Sequence, residues 1–263
     1  MFIRTERSVK DFIIFYPIVT TLVIINMLIW VITGLFPTQF GREVFFWGAG
    51  NNLLIFDGEY WRIFTAMFLH ADFMHVLFNS FSLVLFGPAL EQMIGKWKFV
   101  FAYLGAGIIG NIGTYLIEPT SPTFHIGASG AVYGLFGMYV YMMFMRKDLI
   151  DQANARLVLI ILALGVIMTF ANPQINTAAH LFGLLGGVFV APLVLKNAQP
   201  FSIYRNILKK QKRQSRSSGD GPQFNPDRWK RRRPRTEQQK QQLVWIVIGV
   251  IVLIMFVRTV ILS

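Results

Sequence analysis

The 263-residue chain contains no cysteine. That absence excludes disulfides, thiolate metal sites and a cysteine nucleophile, and leaves the compartment open. The chain is also poor in charge. Asp, Glu, Lys and Arg together make up 14% of it, where a soluble domain carries about a quarter, while 54% is hydrophobic. Such a composition implies a membrane protein. The four histidines (His70, His75, His125 and His180) form no HExxH and fit no common zinc spacing, so neither a metal nor another cofactor is expected. What charge there is lies mostly in one place. Between Lys196 and Lys240, fourteen Lys and Arg stand against Asp220, Asp227 and Glu237. Eleven of the net +12 charges therefore belong to this segment, and the rest of the chain is nearly neutral.

A helix needs about 20 apolar residues to cross the hydrocarbon core of a bilayer. Candidate spans lie at 12–36, 72–90, 98–117, 129–145, 156–171, 177–195 and 243–262. Arg4, Arg7 and Lys10 precede the first, and no small-residue cleavage site follows it, which reads as a retained span rather than a removed signal. Basic residues collect on the cytoplasmic side of membrane helices. Lys96 and Lys98 lie between spans two and three, and Arg146, Lys147 and Arg156 between four and five; the polybasic stretch follows six. The opposite segments carry only Arg42 and Arg62 in the long connection 37–71, and no Lys or Arg at 117–128 or 171–177. The N-terminus is then cytoplasmic and, with seven spans, the C-terminus outside, Arg258 near the outer end snorkelling to the interface. The fold class expected is an all-α polytopic membrane protein. It comprises a six-helix core (1–196), a basic cytosolic linker (197–241) disordered around 215–226, and an additional transmembrane helix (242–263). A multi-pass protein of a bacterial plasma membrane is the localisation this suggests.

With that topology spans two, four and six all begin at the outer face. His75 and Asn79 lie in the first turns of span two, Ser129 opens span four and His180 opens span six, so four polar residues distant in sequence share one depth. Ionisable and polar groups within spans are costly and point to function. Serine is a weak nucleophile until a base takes its proton, and a neutral imidazole is suited to that transfer. No Asp or Glu stands near either helix start except Glu118 in the preceding loop, so a Ser129–His180 dyad is expected rather than a triad, with the ring oriented by packing. Tyr133, one turn after Ser129, could stack on His180. Acyl transfer also needs donors for the developing oxyanion. His75 and Asn79, spaced i, i+4, project from one face, and the Ser129 backbone N–H stands at a helix N-terminus. Gly127 and Gly130 permit close approach of a substrate carbonyl. Gly130, Gly134 and Gly137 on span four, with Gly183 and Gly187 on span six, suit close packing of two membrane helices.

The run Gly127-Ala128-Ser129-Gly130-Ala131-Val132-Tyr133-Gly134, the pair Ala179-His180 with Gly183 and Gly187, and His75-x-x-x-Asn79 resemble the rhomboid family of intramembrane serine proteases. Trp61-Arg62 is similar to that family's first-loop signature, and the resemblance covers roughly residues 12–195. It implies a six-helix core in which Ser129 is the nucleophile, His180 the base, and His75, Asn79 and the Ser129 amide the oxyanion site. It further implies transmembrane protein substrates cut in or near a span, a partly embedded first loop braced by Trp61-Arg62, and, through the seventh span, the six-plus-one variant. Two features depart from the pattern: Phe182 stands where many members carry a smaller residue, and the basic linker is foreign to the core.

A non-catalytic relative that binds membrane-protein clients is the alternative, and the presence of both dyad residues argues against it. A transporter lacks support, since no span but the seventh holds a mid-membrane charge and no inverted repeat is visible. Asp72 and His70 read as loop-bracing residues, Glu91 as structural and Asn111 as a helix-packing contact. The linker reads as a positive-inside anchor that also meets anionic lipid; a tether between two spans is not expected to bind nucleic acid.

Overall fold

The computed structural model describes residues 8–35 and 38–208, together with Phe2, Glu6 and Gln211. The seventh span expected at 243–262 and most of the basic linker lie outside the described residues. The chain divides into two compact units: Met1–Ile3 with Tyr16–Phe201, and Arg4–Phe15 with Ser202–Ser263. In the second, α1 (Val9–Phe15) starts where Ser8 Oγ accepts a hydrogen bond from the Asp11 amide at 3.1 Å.

The first unit opens with α2 (Pro17–Trp30), five residues later than the apolar run from 12 suggests. Proline excludes the helical region for the residue before it, and Tyr16 accordingly sits at φ −127°, ψ 63°. Pro17, with no amide hydrogen and a preset φ, takes the first helical position. The next two amides of α2 are capped from another helix: the buried Glu91 carboxylate accepts from Ile18 N at 3.1 Å and Val19 N at 2.9 Å. The helix then continues through a π turn, Val31–Leu35.

The long connection is a chain of short elements: α3 (Gln39–Gly48), β1 (Gly50–Asn51), α4 (Asn52–Phe56) and α5 (Arg62–Thr65), with a 3₁₀ turn at Ala66–Phe68. Arg62, only 4% exposed, holds it together. Its guanidinium donates to Phe46 O at 2.6 Å and Ala49 O at 2.7 Å and pairs with Glu59 at 2.5 Å. Trp61 Nε1 donates to Trp47 O at 3.1 Å while the two indoles stack with centroids 5.5 Å apart. Asn111 ties the same segment to the bundle, its amide donating to Ile63 O at 2.8 Å.

Next comes α6 (Phe73–Ile94), whose N-terminus is capped by Asp72 accepting from His75 N at 2.8 Å. It runs through Pro88 and ends four residues beyond the expected limit of 90. Gly95, at φ +84°, makes the reversal into α7 (Lys96–Ile117). Beyond α7, β2 (Phe124–His125) pairs antiparallel with β1, Gly50 opposite His125. Then follow α8 (Ser129–Met145), α9 (Gln152–Ala171) and α10 (Thr177–Leu195). Asp151 caps α9 by accepting from Asn154 N at 2.9 Å, which starts that helix four residues before the expected 156. Among the described residues, five helices are long and apolar enough to cross a membrane, namely Pro17–Leu35, α6, α7, α9 and α10, and α8 is a shorter apolar helix of 17 residues. The chain is an all-α polytopic membrane protein.

Lipid tails are as apolar as leucine, so membrane helices associate by packing rather than by leaving water, and small residues bring their backbones together. In α7, α8 and α10 this principle is carried far. Gly183 faces Gly130 O and Gly187 faces Gly134 O so closely that a Cβ at either would overlap the carbonyl. A Cβ at Gly110 would stand 2.7 Å from Ala179 O. Phe182 is accommodated on the other side of α10, its ring lying over Gly113 of α7, which has no side chain to obstruct it.

Candidate active site

Ser129 is the first residue of α8 and His180 the fourth of α10. The glycine contacts just below them fix the separation of the two helices. Across 51 residues of sequence, His180 Nε2 and Ser129 Oγ stand 2.7 Å apart. His180 is 7% exposed. Tyr133 stacks on its ring at 4.1 Å between centroids and 16° between planes. The stack expected from the one-turn spacing is thus present.

Packing alone does not orient the imidazole, contrary to the expectation. His180 Nδ1 lies 2.7 Å from the hydroxyl of Thr169, a buried residue near the end of α9. The same hydroxyl lies 2.8 Å from the Tyr133 hydroxyl and donates to Gly165 O at 2.8 Å. Thr169 escaped the sequence reading because a threonine in an apolar helix ordinarily bonds its own i−4 carbonyl. Its spacing from Gly165 is that of any small packing pair. Only the facing of α9 on α8 and α10 distinguishes it.

Around Ser129 the backbone is set by Gly127, whose φ of +127° excludes other residues and whose amide donates to Ala66 O at 2.9 Å. A Cβ there would stand 2.6 Å from His75 Nε2 and 3.7 Å from Ser129 Oγ, so the glycine leaves open the space shared by the serine and the His75 ring. The Ser129 amide, at the first helical position, has no acceptor within its own helix. Asn79 is buried on the same helix as His75, and its side-chain amide donates to His75 O at 3.1 Å. Gly130 packs under Ala179 O.

The other two histidines serve the surrounding loops. His125 Nε2 lies 3.1 Å from Asn52 Oδ1, and Asn52 Nδ2 donates to Glu118 O at 2.9 Å, so the histidine is the donor. Burial brings His125 down to about 4, which keeps it neutral at physiological pH. His70 packs edge-on against His75 at 5.0 Å. Burial, reinforced by the neighbouring His75, pushes His70 down to about 3.

Comparison with known proteins agrees with this geometry. The family model for the Rhomboid domain matches residues 57–197. The rhomboid-type protein YdcA of Bacillus subtilis is 45% identical over 202 residues, which is 76% of this chain and 98% of that protein. Rhomboid protease GluP of the same organism is 34% identical over 144 residues, 55% of this chain and 28% of the relative. RHOMBOID-like protein 5 of Arabidopsis thaliana is 29% identical over 153 residues, 58% of this chain and 50% of the relative.

Proposed function

The chain belongs to the rhomboid family, and from that premise we propose that it is an intramembrane serine endopeptidase acting through the Ser129–His180 dyad on transmembrane protein substrates. The 2.7 Å contact between His180 Nε2 and Ser129 Oγ carries the proposal. As Ser129 Oγ attacks the scissile carbonyl carbon, its proton passes to Nε2. The oxyanion that forms is held by the Ser129 amide with His75 and Asn79, whose side-chain amide has a second N–H beside the one bonded to His75 O. Losing one such donor costs about 3–4 kcal/mol. Collapse of the tetrahedral intermediate breaks the C–N bond, and imidazolium Nε2–H returns the proton to the leaving amine. Water then attacks the acyl ester, again deprotonated by His180, and Ser129 is regenerated. Gly127 and Gly130 keep the approach to Ser129 free of side chains. No metal or cofactor has a part in these steps.

In the membrane, the N-terminus faces the cytoplasm and the C-terminus the outside. The dyad then lies towards the outer face. The basic linker meets anionic lipid headgroups, at about 1 kcal/mol per basic residue close to the surface.

The test is labelling of the purified full chain with a fluorophosphonate probe. Wild type labels, and Ser129→Ala and His180→Ala lose the label while remaining folded. Undiminished labelling of Ser129→Ala would refute the proposal. A folded wild type that fails to label, yet binds membrane proteins without cutting them, would make it a client-binding relative instead.

A further inference from the structure

An imidazole serves as base only if its lone pair, not its N–H, faces the serine. A dyad has no carboxylate to impose that tautomer. We propose that Thr169 is the positioning residue that does so, holding the proton of neutral His180 on Nδ1 so that Nε2 receives the Ser129 proton. The inference rests on reading Ser129 and His180 as the dyad.

A hydroxyl has one proton to give and two lone pairs to accept with. The Thr169 hydroxyl has three partners: Gly165 O at 2.8 Å, the Tyr133 hydroxyl at 2.8 Å and His180 Nδ1 at 2.7 Å. Gly165 O accepts and never donates, so the contact with it consumes the threonine proton. The oxygen then faces Tyr133 and His180 with lone pairs alone, and each of them must donate. Only this assignment turns all three contacts into hydrogen bonds. It places the imidazole proton on Nδ1 and leaves Nε2 to accept from Ser129 Oγ at 2.7 Å. In the opposite tautomer Thr169 donates to Nδ1, abandons Gly165 O, and Nε2–H points at a serine it can no longer deprotonate.

The arrangement suits its surroundings. When His180 becomes imidazolium, the Nδ1–H bond to Thr169 persists and becomes charge-assisted. The acceptor is neutral, so the resting site buries no carboxylate in a span. Gly165 and Thr169 stand one turn apart on α9, and a Cβ at Gly165 would come within 2.8 Å of the Tyr133 hydroxyl, so the glycine admits the third member of the network.

Nitrogen NMR of the full-length, histidine-labelled protein in detergent at neutral pH reads the tautomer directly. Wild type shows Nδ1 protonated and Nε2 unprotonated at His180. Thr169→Val, which cannot accept, shifts the proton to Nε2 and lowers kcat by at least about tenfold with KM little changed. Thr169→Ser restores both. A wild-type spectrum with Nε2 protonated overturns the inference even if no variant folds, and so does an unchanged tautomer in Thr169→Val, whatever its rate. Because the spectrum does not depend on turnover, these failures are distinct from failure of the protease assignment, which labelling of wild type and Ser129→Ala decides.

Discussion

Gly183 lies one turn below His180 and meets Gly130 O on the facing helix with no room for a methyl group. In Gly183→Ala, α10 must move off α8, and the reach of Nε2 to Oγ lengthens with it. Misplacement by about 1 Å costs on the order of 100-fold in rate, and overpacking about 1–3 kcal/mol in stability. Fluorophosphonate labelling should slow far more than the thermal midpoint falls; a labelling rate equal to wild type would show that the helices do not set the dyad. At this scale the sequence was most legible where chemistry is rare. Ser129 and His180 announced themselves as polar residues at matched depths, and the stacking Tyr133 by its place one turn after Ser129. Thr169 did not, because its meaning depends on which helix it faces. Asn79 was legible by position but not by partner, its side-chain amide donating to the i−4 carbonyl of its own helix.

Hydropathy located the helices, and local chemistry shifted their ends. Pro17 moved the start of α2 inward from 12, Asp151 moved that of α9 outward from 156, and α6 ran past 90 through Pro88 because a membrane helix tolerates proline when neighbours resupply its bonds. Tyr139 also donates to Phe86 O, two residues before the proline, at 2.7 Å, tying α6 to α8 at that level. Glu91 was legible as structural but not as the cap of a helix some seventy residues away. Glu91→Ala strips the Ile18 and Val19 amides of their acceptor, and each buried donor left unpaired costs about 1–3 kcal/mol. A lower thermal midpoint is therefore expected, with Glu91→Gln falling between Ala and wild type because it retains one accepting oxygen. Equal midpoints for all three would refute the capping role. The connection 37–71 was legible only through Trp61-Arg62; that Arg62 gathers carbonyls from α3 and the turn after it follows from a fold no local pattern encodes.

For the whole molecule, the placement of basic residues predicts orientation, and the lack of cysteine makes it straightforward to test. Thr120, before β2, and Lys147, between α8 and α9, are both exposed and lie in loops on opposite sides of that scheme. In intact cells a membrane-impermeant maleimide should label Thr120→Cys and leave Lys147→Cys untouched until the membrane is opened; the reverse pattern would invert the topology. That the starts of α6, α8 and α10 come together was legible because alternation follows from the order of spans. The closeness of α8 and α10 was suggested by glycine spacing, but the part of α7 and which glycine meets which carbonyl were not.

Among the residues of α9 only Val158, Leu162 and Thr169 are buried, so the protein itself covers little of this apolar helix. A span can answer a mismatch with bilayer thickness by tilting, and α9 has few buried contacts to resist it. Thr169 rides near the end of that helix, where a small change of tilt moves a side chain farthest. On the role proposed for Thr169, membrane thickness then becomes a variable of the chemistry, much as pH is for an enzyme in water.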